Sequence, residues 1–123
     1  MSSETLENLH GYLRKNRNKF RNIVIDFFGG EPTLEYLKIK KFIKKTKDLN
    51  IRYVIGTNAI LIDDEKVDFF KKNNVEIIVS ISSHNSRELM EKIEKYPMVF
   101  SVNLVIVPSD IFGFFEIVNK LQK

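Results

Sequence analysis

The chain alternates between two hydrophobic periods. Leu6, Leu9, Leu13 and Phe20 recur at helical spacing across residues 4–20, and residues 23–28, Ile-Val-Ile-Asp-Phe-Phe, form a short apolar run that ends in Gly29-Gly30. The pattern predicts a helix followed by a buried strand. The cycle then repeats. Ile39, Phe42, Ile43, Thr46 and Leu49 line a helix that is otherwise rich in lysine, and Tyr53-Val54-Ile55 forms a β-branched strand core. Asp63-Asp64-Glu65 reads as an N-cap with an acidic first turn, opening a helix with Val67 and Phe70 inward and Asn73-Asn74 near its end. Residues 75–81 are the third strand. Asn85 with Glu88 three residues on fits a capping box, Leu89, Met90 and Ile93 give that helix its apolar face, and Pro97 stops it. Residues 100–107 form the fourth strand. Ser109 or Asp110 caps a last helix carrying Phe112, Phe115, Val118 and Leu121.

Four nearly continuous apolar strands separated by helices predict an α/β fold of parallel βαβ units, with strands covered on both faces and right-handed crossovers. No repeat, low-complexity tract or linker interrupts the 123 residues, so a single domain over 1–123 is expected. The sheet should have at least one open edge.

Composition narrows the chemistry. The chain has no cysteine, which excludes disulfides, thiolate metal sites, thiol nucleophiles and cysteine-ligated iron–sulfur clusters. The first residues are polar and acidic, and no apolar run approaches the ~20 residues of a membrane span. A cytoplasmic location without membrane contact is the default expectation. Lysine and arginine outnumber acids by 20 to 16, with the excess at 14–21 and 38–47. Lysines spaced around amphipathic helices read as solvated faces, and the chain has no RNA-binding motif and no aromatics interleaved with lysines; nucleic acid ranks last as a partner.

In parallel α/β folds ligands sit beyond the carboxyl ends of the strands. Here those ends read Gly29-Gly30-Glu31-Pro32-Thr33, Gly56-Thr57-Asn58-Ala59, residues 80–85 (Ser-Ile-Ser-Ser-His-Asn) and residues 107–110 (Val-Pro-Ser-Asp). All are small or polar after apolar runs, as a small-ligand cradle requires. Paired glycines allow positive φ and close approach to a ligand, and the first end can equally be a plain strand-to-helix turn with Pro32 near the first helical position. His10 and His84 lack a second ligand at metal-binding spacing, and the acids at 63–65 serve a helix start. Phe27, Phe28, Phe69, Phe70, Phe112, Phe114 and Phe115 read mostly as core or edge packing, some of them an interface if the sheet is left open.

Residues 25–34 (Ile-Asp-Phe-Phe-Gly-Gly-Glu-Pro-Thr-Leu) resemble the GGEP segment of radical S-adenosylmethionine enzymes. Thr57-Asn58-Ala59 resembles the TNG segment of that family, and Ser80-Ile81-Ser82-Ser83 its SxDG turn. The likeness runs over roughly residues 4–120 and is nearest to the peptide-modifying and sulfatase-maturing branch. It implies a partial parallel (β/α) barrel, with this chain corresponding to the second to fifth of six units. It also implies that Gly29, Gly30, Glu31 and Pro32 form the backbone cradle for the methionyl amine of S-adenosylmethionine, that Thr57 and Asn58 line the same pocket, and that Ser80 and Ser82 lie near the ribose. The departures are Ala59 for the usual Gly, Ser82-Ser83 for Asp-Gly, and the absence of a CxxxCxxC loop for the 4Fe-4S cluster. The resemblance therefore implies weak S-adenosylmethionine binding, no catalytic residue or metal ligand in this chain, and a truncated domain inactive alone. The alternative is a non-catalytic module that pairs through its open sheet edge with a partner chain or a second copy, whose would-be barrel interior is expected to be an uncovered apolar surface.

Overall fold

The structure, a computed structural model, describes residues 1–81, 86–104 and 111–122. Helix α1 (Ser3–Asn16) starts where the Ser2 hydroxyl accepts from the Thr5 amide at 3.1 Å, with Glu4 in its first turn and Arg14 and Lys15 in its last, each sign matched to the helix dipole. Strand β1 (Val24–Phe27) leads through Gly29-Gly30 into a 3-10 turn, Pro32–Glu35, and helix α2 (Tyr36–Thr46). Strand β2 (Arg52–Thr57), helix α3 (Asp64–Lys72), strand β3 (Val75–Ile81), helix α4 (Ser86–Lys95), strand β4 (Phe100–Leu104) and helix α5 (Ile111–Leu121) complete the order. The expected cap of α3 is present: the Asp63 carboxylate accepts from the Lys66 amide at 3.0 Å. The capping residues expected at Asn85, Ser109 and Asp110 lie outside the described residues, as do strand positions 105–107.

All four strands are parallel, in the order β1-β2-β3-β4. Strand and helix alternate throughout, so the fold is the α/β arrangement the periodicity predicts and is consistent with part of a (β/α) barrel. Pairing places Phe27 beside Ile55, Ile55 beside Ile77, and Ile77 beside Phe100. These side chains, with Tyr53, Val75, Val79 and Ile81, meet Leu6 and Leu13 of α1, Ile39, Phe42 and Ile43 of α2, Val67, Phe69 and Phe70 of α3, and Leu89 of α4 in one core. Edge-on contacts between Phe27 and Phe42, and of Tyr36 with Phe69 and Phe70, lock its rings. Arg14 grips Asp48 with two 2.9 Å bonds and Arg17 reaches the Leu49 carbonyl, tying the end of α1 to the end of α2.

One expectation is overturned. The strands are not covered by helices on both faces, and the face away from the helices is mixed rather than uniformly apolar. Its positions alternate with the core positions: Val24 and Asp26 on β1, Arg52, Val54 and Gly56 on β2, Glu76, Ile78 and Ser80 on β3, Ser101 and Asn103 on β4. Asp26, Arg52, Ser80, Ser101 and Asn103 are exposed, and Arg52 pairs with Glu76 at 2.7 Å. With α1 to α4 packed on one side, the other side carries exposed polar groups. Phe27, Phe69 and Phe70 are core as expected, but Phe28, Phe112 and Phe115 are exposed.

Candidate ligand-binding site

The site is built from the carboxyl ends of β1 and β2. Gly29 and Gly30 both take positive φ, 94° and 56°, and a Cβ on either would meet nothing within 4 Å. The backbone turn itself requires glycine here, rather than any crowding by the protein, and the loop lies open to solvent. Pro32 takes the first position of the 3-10 turn, where its missing N–H has no partner to lose.

Glu31 links the two strand ends. Its carboxylate accepts from the Thr57 hydroxyl at 2.6 and 3.1 Å, from the Asn58 amide at 3.0 Å and, more distantly, from the Thr33 amide at 3.5 Å. Thr57, buried on the helix side of β2, passes the network on by accepting from the Ala59 amide at 3.1 Å. Asn58 is exposed, and its side-chain oxygen accepts from the Ile60 amide at 3.0 Å, closing the turn locally. Ala59 is fully buried with φ 65°, the left-handed region that glycine enters without strain.

The structure therefore brings Gly29, Gly30, Glu31, Pro32, Thr57 and Asn58 into one loop cluster. The Glu31 carboxylate is directed into the protein, at Thr57 and Asn58. Ser80 stands exposed near the end of β3 on the open face, and Ser82 lies outside the described residues. Beside the cluster a groove of about 360 Å³ runs between the start of α1 and the outer edge of β1, lined in part by Leu6, Leu9, Ile25, Phe28 and Gly29. Sequence reasoning misses Phe28 as a site residue. It is 85% exposed, with its ring edge against Gly56, where a Cβ would meet the Phe28 Cδ2 at 3.3 Å. The available signal is the glycine inside β2, since a glycine within a strand marks a close approach.

Among the described residues no three His, Cys, Asp or Glu side chains are placed to hold a metal ion, and no helix is long and apolar enough to cross a membrane. Without cysteine, the chain cannot ligate a 4Fe-4S cluster in the cysteine-bound manner of radical S-adenosylmethionine enzymes.

No protein-family model matches the chain. It is similar to a cysteine-type anaerobic sulfatase-maturating enzyme of Clostridium novyi, 37% identical over 78 residues, which is 58% of this chain and 20% of that protein. It is similar to a radical SAM cyclopropyl synthase of Paramaledivibacter caminithermalis, 35% identical over 89 residues, 66% of this chain and 19% of that protein. An uncharacterized protein of Methanocaldococcus jannaschii is 30% identical over 94 residues, 73% of this chain and 32% of that protein. The matches thus span about a fifth to a third of the length of these relatives. Over that span, with its parallel α/β sheet, the chain is related to the radical S-adenosylmethionine enzymes.

Proposed function

We propose that this chain is a radical-S-adenosylmethionine-type module that keeps the cofactor's nucleoside-amino-acid cradle without the cluster, and is catalytically inactive as this polypeptide. The observation that carries the reading is the Gly29-Gly30 turn, held open by its own φ angles and buttressed from behind by the Glu31 carboxylate on Thr57 and Asn58. In this reading the exposed backbone at 29–30 takes the methionyl amine, while Asn58 and Ser80 flank the ligand. The role of Glu31 and Thr57 is to fix the turn rather than to touch the ligand. When bound, a 4Fe-4S cluster supplies the electron that cleaves the sulfonium; no residue of this chain holds one, so no step is assigned to these side chains.

Calorimetric titration with S-adenosylmethionine tests the reading. Binding is expected in the high micromolar range or weaker, because only part of a full contact set is present. Gly30→Ala, which strains the turn, should weaken it further. Absence of heat at millimolar ligand contradicts the proposal. Anaerobic treatment with iron and sulfide should leave no iron on the chain after desalting; about four irons per chain would overturn the inactive half of the reading.

The alternative of an edge-pairing module is favoured by the outer edge of β1, which no strand among the described residues pairs, and by the groove beside it. Sedimentation equilibrium separates the readings: a 14.4 kDa species without concentration dependence excludes a homodimer.

A further inference from the structure

On the open face of the sheet, Phe28, Gly56 and Ile78 form a flat apolar shelf. Gly56 pairs with Ile78, and the ring of Phe28 lies on the side to which a Gly56 side chain would project, which is the face away from the helices. Leaving a phenylalanine 85% exposed forgoes the stabilisation that its burial would bring. Gly56 does not have positive φ, so the turn chemistry that requires Gly29 and Gly30 does not require it; what its missing side chain provides is room for the ring.

The charge beside the shelf is negative. Asp26 lies two residues before Phe28 on the same face, roughly 7 Å along the strand, and among the described residues it makes no hydrogen bond or ion pair. Glu76, in the same row as Asp26 across Val54, is by contrast neutralised by Arg52 at 2.7 Å and accepts from the Ser101 hydroxyl at 3.3 Å. An aromatic face next to one unpaired carboxylate is the chemistry that recognises an organic cation, through the negative face of the ring and the charge of the acid together.

We infer that Phe28, seated on Gly56 and flanked by Asp26, is a binding surface for a soft organic cation. Resting on the function proposed above, that cation is the sulfonium of S-adenosylmethionine, with the methionyl amine at the adjacent Gly29-Gly30 turn. Phe28 is then the residue that distinguishes the charged cofactor from its neutral thioether analogue, S-adenosylhomocysteine.

Two titrations by NMR test this. Trimethylsulfonium alone should shift the Phe28 ring and Gly56 amide resonances of the wild type at tens of millimolar, and Asp26→Asn should weaken that response. No shift at these positions overturns the inference, whatever the nucleoside result. In parallel, S-adenosylmethionine should bind roughly 3- to 30-fold more tightly than S-adenosylhomocysteine. Phe28→Leu should collapse the ratio to below about 2-fold while Phe28→Tyr retains it. An unchanged ratio in Phe28→Leu overturns the assignment to sulfonium. Trimethylsulfonium binding without any nucleoside binding would instead refute the proposed function and keep the cation site.

Discussion

Glu31→Gln is the sharpest probe of how the loop cluster is held. The substitution keeps the shape of the side chain, but one acceptor oxygen becomes an NH2 group. The wild-type carboxylate accepts from both the Thr57 hydroxyl at 2.6 Å and the Asn58 amide at 3.0 Å. In the variant the carboxamide oxygen still accepts from the Asn58 amide and the new NH2 group can donate to the Thr57 hydroxyl, so both contacts become neutral hydrogen bonds. Hydrogen bonds to a charged group contribute about 1.5–3 kcal/mol each and neutral ones about 0.5–1.5, so neutralising both should cost about 2 kcal/mol in this half-buried setting. With a urea dependence of about 1–3 kcal/mol/M, the denaturation midpoint should fall by about 1 M at unchanged slope. Thr57→Val should lose the same bond from the other side, and the double variant should be less destabilised than the sum of the singles, by about 1 kcal/mol. A midpoint within 0.2 M of wild type by order-of-magnitude expectation, or strict additivity, would refute the claim that this carboxylate braces the two strand ends.

Gly29→Ala and Gly30→Ala should each cost about 1–2 kcal/mol by denaturant unfolding, through φ strain alone, since the space around both is open. The Lys66 amide bonded to the Asp63 carboxylate holds that carboxyl below its usual value. Its stabilising share is complete above the unfolded value near 3.8 and is lost as pH falls through the folded one. Asp63→Asn, which keeps an acceptor at the cap, should flatten the loss of urea midpoint between pH 5 and pH 3. Burial pushes the Tyr53 hydroxyl above its usual 10.0, with the Thr46 bond opposing. Folded stability should therefore drop as pH rises past 10, and Tyr53→Phe should reduce that drop while costing about 1 kcal/mol at neutral pH.

The helices and strands are legible because period and caps agree locally: Ser2 and Asp63 sit where their side chains accept from the third residue on, and Leu6, Ile39, Phe42, Ile43 and Phe70 fall on buried stripes. The open face is misread from the run at 23–28, whose continuity hides a period of two. Asp26, Arg52, Glu76, Ser101 and Asn103 stand at alternate positions across four strands, and only the register between strands shows that they share one face. The loop cluster is legible as a set, because its members end consecutive strands. The direction of the Glu31 carboxylate is not, since it depends on how far β2 extends toward β1, a tertiary fact. Phe28 looks like core by composition; its exposure follows from the period of two, which places it with Asp26 on the face away from the helices.

The central claim, that the loop cluster is a cofactor cradle, is tested most directly by titrating isotope-labelled protein with S-adenosylmethionine and mapping amide shifts. The account predicts saturable shifts at Gly29, Gly30, Asn58 and Ser80, with Thr57 following through its bond to Glu31. Shifts confined to the lysine-rich surface of α2, at Lys38, Lys41 and Lys44, would contradict it.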